Sequence, residues 1–378
     1  MNIAVNTRLL LHNKLEGIGW FTFETLKRMV VKHPEHQFYF LFDRSFHPSF
    51  IFADNVTPIV VYPPARHPIL FYLWFEWVLP RVLKKHKIDA FLSTDGYLSL
   101  RTKVPSVNVI HDLNFEHYPA DMQWAPRLHY LHYFPKYAAK ASRIATVSKY
   151  SKNDIIDKYR VNENKIDVVY NGANEMYQPI AESVKIETRN KLSSGKPYFL
   201  YVGALHRRKN ISRLLQAFDQ FANSNTETIL VIVGKQMWHD EEMETTFKSM
   251  KHAQRVIFTG RLSVADLHHT LASALALVYI PYFEGFGIPI IEAMQCGTPV
   301  ITSNCTSMPE VAGDAAVLVN PFDLEDITKA MKTIVTNEEL RINLSEKGIK
   351  NSQRFSWDKT ADALWKCLSQ VLPIKSEN

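Results

Sequence analysis

Glu284 and Glu292 stand eight positions apart in EGFGIPIIEAMQCGTPV, on either side of a Gly-Phe-Gly turn. Carboxylates accept hydrogen bonds, and sugar or ribose hydroxyls are suitable donors to such a pair. The flanking residues supply a scaffold. ALALVYIPY, residues 274–282, has the length and apolarity of a buried parallel strand. Pro289 suits a first helical turn, Gly297 a left-handed helix end, and residues 298–302 resume strand character. The segment therefore reads strand, glycine turn, short helix, strand. A helix start reached through glycines offers N–H groups and the positive end of a dipole, a place to hold phosphate. The main chain at Gly285, Phe286 and Gly287 can approach such a ligand closely, because glycine has no Cβ. The alternative for Glu292 is compensation of the helix dipole.

Three more groups could take part. Arg207, Arg208 and Lys209 follow an apolar strand, Tyr198–Val202, and Gly203. Three adjacent cations call for an anion, and a nucleotide diphosphate would serve: Arg grips oxygens with a fork and Lys acts as a point charge. The alternative is a solvated basic turn. His111 and Asp112 close the run Val107–Ile110, either as site residues or as a turn cap. Gly17-Ile-Gly19 follows the first strand and precedes a helix expected from about Trp20. No D-x-D triplet occurs to hold a divalent ion.

The pattern Glu284, seven residues, Glu292 resembles the signature of retaining family-4 glycosyltransferases with the GT-B fold. YVGALHRRKN (201–210) is similar to the family's strand and basic diphosphate loop, and VIHDLNFEHYP (109–119) to the His-Asp stretch of its first domain. NGAN (171–174) resembles the domain junction, while residues 307–323 and 355–361 extend the match over nearly the whole chain. The segments are most like those of bacterial mannosyltransferases of polysaccharide and O-antigen assembly.

That resemblance implies transfer of a hexose from a nucleotide sugar to a hydroxyl of a glycan or lipid-diphosphate-linked acceptor. GDP-mannose is the preferred donor, with UDP-glucose or a UDP-hexosamine as alternatives. It places Arg208 and Lys209 on the diphosphate, Glu292 on the ribose and Glu284 on the donor sugar. Gly203, Gly285, Phe286, Gly287 and Ile288 surround the donor, and Gly260 and Arg261 lie near its base. His111 contacts the donor sugar, while Gly17, Gly19 and Asp112 line the acceptor side. No metal and no cofactor are expected. The rival from another class is a non-catalytic GT-B scaffold.

The elements needed to hold these groups recur along the chain. Strand-like runs at 3–6, 38–42, 59–62, 90–93, 107–110 and 144–147 alternate with helical ones, and the rhythm restarts at 198–203, 229–234, 256–259, 275–280 and 300–302. This is an α/β pattern of two doubly wound, Rossmann-like domains, expected to face each other across a cleft. Their expected spans are 1–175 and 176–356, with a joint near 178–197. Residues 357–378 should return as a helix to the first domain.

The 378 residues are 46% hydrophobic and 22% charged, as in ordinary globular chains. Three cysteines without a C-x-x-C pair fit a reducing cytoplasm, and MNIAVNTRLL enters a strand without a signal core. Residues 1–175 hold 22 Lys and Arg against 16 Asp and Glu, so the first half carries the whole surplus of six. That suits an anionic acceptor, or peripheral contact with an anionic membrane at the inner face of the cell membrane, or simply a solvated face. No nucleic-acid motif accompanies it. In PILFYLWFEWVLP (68–80), Phe71, Trp74, Phe75 and Val78 form one helical stripe, either core or a surface dipping into a bilayer.

Overall fold

The computed structural model of the chain describes residues 1–65, 67–122, 124–235 and 241–373. These divide into two compact units: Met1–Asn171 with the segment from Trp357 onward, and Gly172–Ser356.

The first unit is built on β1 (Asn2–Asn6), β2 (Gln37–Phe42), β3 (Val56–Val60), β4 (Ala90–Ser93), β5 (Ser106–Val109), β6 (Arg143–Thr146) and β7 (Ile166–Val168). They run parallel in the order β3-β2-β1-β4-β5-β6-β7. The second unit holds β8 (Tyr198–Val202), β9 (Ile229–Val233), β10 (Val256–Gly260), β11 (Ala276–Tyr279), β12 (Val300–Ser303) and β13 (Val317–Val319). These are also parallel, in the order β10-β9-β8-β11-β12-β13. Both orders reverse at their centre, at β1/β4 and at β8/β11. The connections diverge there, and the strand ends leave room for a ligand. Every residue of β8, β11 and β12 is buried, because helices cover both faces of the sheet.

Three local expectations shift. The third strand is at 56–60 rather than 59–62, with Pro58 tolerated because this is an edge strand. β7 and β13, each three residues long at a sheet edge, are too short for a periodic signal. The interval 178–197 contains the helix Glu182–Ser193, half of whose residues are exposed and which carries pairs such as Arg189–Glu182 and Lys191–Glu187 instead of an apolar stripe.

The aromatic segment resolves as the helix Pro68–Leu73, a π-turn Trp74–Val78 and the helix Leu79–Lys85. Trp74 and Phe75 are fully buried, with Phe71 and Val78 packed against the same cluster, so the expected stripe is core. Trp74 Nε1 donates to the Val61 carbonyl at 2.9 Å. The last helix, Trp357–Ser369, lies against Gly17–Lys32. Trp365 stacks on His33 at 3.7 Å, and Lys32 pairs with Asp362 at 2.8 Å. Thr360 Oγ1 donates to the Tyr170 carbonyl at 2.7 Å.

Candidate active site

Two loops leave the switch point of the second sheet and are tied together. After β8, Gly203 donates its N–H to the Val233 carbonyl at 3.0 Å, and the chain reaches a short 3-10 turn, Arg207–Lys209. Asn210 follows in the left-handed region at φ 64°, which Asn tolerates, and opens the helix Ile211–Ala222. Its amide donates to the carbonyls of Ile280 (3.1 Å) and Pro321 (2.6 Å), pinning the basic turn against the other loop. The Tyr282 N–H, donating to the Arg208 carbonyl at 3.1 Å, ties them again. That second loop ends at Gly287 (φ 98°) and enters the helix Ile288–Gln295 with Pro289 in its first turn. Gly297 ends this helix at φ 70°, as its sequence indicates.

Glu284 sits where the loops meet. Its Oε2 accepts from Arg208 Nη1 at 2.6 Å, from Lys209 Nζ, and from the Tyr279 hydroxyl at 3.2 Å. Lys209 Nζ also lies 2.6 Å from that hydroxyl. Burial alone would raise the Glu284 carboxyl, but Arg208 and Lys209 outweigh it and hold the group at about 2. Burial keeps the Tyr279 phenol protonated, with its pKa far above the usual value. Glu284 thus places a carboxylate against the buried Lys209 side chain, as a buried cation requires. An incoming diphosphate would meet two cations already aimed at one point.

Glu292, on the helix, is shifted in the opposite direction. Burial pushes its carboxyl up to about 7, and no cation offsets it. Two carboxylates from one short segment are therefore pushed in opposite directions, the pattern expected of groups with different tasks. Ser307 Oγ donates to the carbonyls of Glu284 (2.8 Å) and Phe286 (3.3 Å), fixing the loop that carries Gly285. Phe286 is buried edge-on to Phe355, and Ile288 is the first residue of the helix. Gly260 (φ 71°) and Arg261 are exposed at the end of β10, and the Gly260 carbonyl accepts the Gly234 N–H at 2.9 Å.

In the first unit, His111 follows β5. Its Nε2 lies 2.9 Å from the Thr94 carbonyl, so this nitrogen carries the proton, and Phe21 stands edge-on at 5.0 Å. Burial lowers its pKa, which favours neutral imidazole. The His111 carbonyl accepts from Ser151 Oγ at 3.2 Å, and Asp112 Oδ1 accepts the Asn114 N–H at 3.1 Å as a turn cap. Gly17 and Gly19 belong to the first turn of the helix, three residues earlier than expected, because Glu16 accepts the Trp20 N–H. A Cβ on Gly19 would lie 3.0 Å from the Leu9 carbonyl, whereas Gly17 faces open space.

The chain has counterparts among known proteins in sequence and in fold. Residues 16–175 match the family described as Glycosyltransferase Family 4, and residues 184–351 match Glycosyl transferases group 1. The O-antigen chain mannosyltransferase B of Escherichia coli is 27% identical over 364 residues, covering 91% of this chain and 93% of its own. The chain belongs to the family-4 glycosyltransferases of GT-B fold. This glycosyltransferase is also 28% identical to the O-antigen chain mannosyltransferase RfbU of Salmonella typhimurium over 71% of each chain. In fold it is similar to Anabaena HepE, solved in complex with UDP-glucose, at a TM-score of 0.76, 17% identity and coverage of 98% of this chain and 100% of that one.

Four residues of this glycosyltransferase escaped the sequence reading. Tyr279 was read only as strand, yet its hydroxyl joins Lys209 to Glu284. Asn210 closes the basic motif, and its tolerance of the left-handed region is the signal that could have marked it. Ser307 left no local mark, since its partners lie more than twenty positions away. Gly234 was read as the end of β9. A Cβ there would fall 1.8 Å from the Gly203 carbonyl, so glycine is what lets the two strand ends approach. Among the described residues, no group of three or more His, Cys, Asp or Glu is placed to hold a metal ion.

Proposed function

We propose that this glycosyltransferase moves mannose from GDP-mannose to a hydroxyl of a glycan or lipid-linked acceptor, with retention at the anomeric carbon and without a metal ion. The carrying observation is the cluster of Arg208, Lys209 and Glu284 beside a glycine-led helix start. Breaking the bond between the anomeric carbon and the phosphate oxygen builds negative charge on that oxygen. Arg208 and Lys209, already fixed, stabilise it with no reorganisation at the moment of reaction. In this reading a diphosphate takes over the cations that now hold Glu284, which leaves Glu284 to accept from sugar hydroxyls. Glu292 accepts from the ribose.

The main chain at Gly203, Gly285, Phe286, Gly287 and Ile288 surrounds the donor, and Gly260 with Arg261 reaches its base. His111 meets the donor sugar, with Gly17, Gly19 and Asp112 on the acceptor side. A neutral His111 fits a mechanism in which the departing phosphate oxygen itself takes the acceptor's proton. The names of the Escherichia coli and Salmonella relatives favour mannose over glucose and hexosamine.

A donor screen read by nucleotide release tests the proposal. GDP-mannose, UDP-glucose and UDP-hexosamines are supplied with mannose-ended oligosaccharides and lipid-linked acceptors, with and without a chelator. Release of GDP only with acceptor, unchanged by the chelator, and an α-linked product by NMR are expected. Turnover of a UDP sugar alone, a β-linked product, or loss of activity with the chelator would each refute the corresponding part. No binding of any nucleotide sugar would favour a scaffold.

A further inference from the structure

Where β8, β11 and β12 begin, the second unit has a cavity of about 420 Å³, within the size range of small-molecule sites. The strand starts form its floor, with Pro197, Ala274 and Pro299 giving apolar surface. Two helices form its walls. Glu182–Ser193 brings Lys185 and Arg189, one turn apart on one face, and Glu338–Ser352 brings Arg341 and Ile342. The Glu284 cluster stands at the other end of the same strands. β8, five residues long, sets the two about 16 Å apart.

The protein leaves hydrogen-bonding capacity open here. Arg189 Nη2 pairs with Glu182 at 2.7 Å, and Lys185 Nζ lies 3.6 Å from the same carboxyl. Arg189 Nε is buried and has no hydrogen-bond partner among the described residues. Ser273 Oγ, in the floor, is buried and equally without one; the Tyr198 hydroxyl beside it donates to the Thr270 carbonyl at 2.6 Å. Arg341 donates through Nη1 to the carbonyls of Ile334 (2.7 Å) and Val335 (3.0 Å). The helices Val264–Ala272 and Ile288–Gln295 end beside the cavity, and cations can cap such ends. Here other groups do so. The Leu271 carbonyl accepts from the Ala274 N–H (3.3 Å) and Thr298 Oγ1 (2.7 Å), and the Ala293 carbonyl from the Thr298 N–H (2.9 Å). With Glu182 and the exposed Glu346 included, three cations face two acids. Leaving a buried N–H and a buried hydroxyl unpaired is costly, and an oxygen-rich anion would meet both. A phosphoryl group has three terminal oxygens for these donors, and the cavity has room and apolar surface for a carbon skeleton besides.

We propose that this cavity binds a small phosphomonoester, its oxygens held by Lys185, Arg189, Arg341 and the Ser273 hydroxyl and its carbon skeleton lying on Pro197, Pro299 and Ile342. The site shares no residue with the proposed donor site, so the two readings fail separately.

The full chain is titrated by calorimetry with glycerol 3-phosphate, ribose 5-phosphate, glucose 6-phosphate, inorganic phosphate and glucose. At least one phosphomonoester should bind one to one, about ten-fold or more tighter than inorganic phosphate, and glucose should not bind. Lys185→Gln/Arg189→Gln should weaken that binding by about ten-fold or more. Ser273→Ala should weaken it by roughly five-fold, with the urea midpoint unchanged or higher, since the hydroxyl it removes has no partner in the ligand-free chain. Lys209→Ala, which alters the donor site, should bind the phosphomonoester like the parent. The proposal is overturned if no phosphomonoester binds better than inorganic phosphate, or if binding is lost in Lys209→Ala and kept in Lys185→Gln/Arg189→Gln. A Ser273→Ala chain that binds like the parent, or unfolds at lower urea, would overturn the part given to the hydroxyl.

Discussion

Lys209 and Glu292 are the residues whose chemistry can be measured most directly. Lys209→Ala removes one of two fixed positive groups, and losing one such donor typically costs about 3–4 kcal/mol of transition-state stabilisation. We expect kcat to fall by a factor of ~10² to 10³ with the circular dichroism spectrum unchanged; near-normal turnover would rule out a role for Lys209 on the leaving group. Glu292 makes a pH prediction. Its carboxyl is at about 7 in the folded chain, above the ordinary value of 4.5, so between those limits the native state holds a proton that the unfolded chain has released. Stability therefore falls as pH rises through that window. Glu292→Gln should be more stable than the parent by roughly 2–3 kcal/mol at pH 8 and no more stable at pH 4, by urea denaturation. Ribose hydroxyls donate to the ionised form, so donor binding to the parent should strengthen from pH 6 to pH 8, and the variant should lose that slope.

At the scale of elements, the site depends on how closely strand ends approach. The β8 and β9 termini meet at Gly203 and Gly234, where a Cβ on Gly234 would overlap a carbonyl oxygen. Backbone cannot swing aside as a flexible side chain can, so Gly234→Ala must separate the strand ends or shift the loop carrying Arg208 and Lys209. A loss of at least ~2 kcal/mol in denaturant is expected, together with weaker donor binding; a variant matching the parent in both would show that the approach is dispensable. The cations and carboxylates of this region were legible in the sequence because they are adjacent or fall in one short motif. Tyr279, Ser307 and Gly234 were not. Each acts on a residue from another segment, and nothing local distinguishes a strand Tyr that packs from one that bonds Lys209.

At the scale of the molecule, the first unit is discontinuous. The helix Trp357–Ser369 buries Trp357, Leu364 and Leu368 within it, while the second unit is one continuous segment. Residues 172–356 expressed alone should unfold cooperatively. Residues 1–171 alone should not, since the face of Gly17–Lys32 that meets this helix would be bare, and fusing 357–373 behind a flexible linker should restore the transition. A cooperative, equally stable 1–171 fragment would contradict this. No helix among the described residues is long and apolar enough to cross a membrane.

The sequence alone determined the alternation of apolar strands with helices, hence two parallel sheets, and the motif Glu284 to Glu292 with its basic companion. These are properties of neighbours along the chain, where period and spacing carry the information. Only the tertiary structure decided that Glu284 is held ionised between two cations while burial raises the Glu292 carboxyl to about 7, and that the aromatic stripe faces inward. Ionisation and exposure depend on what is brought near from elsewhere in the chain, and spacing does not encode that.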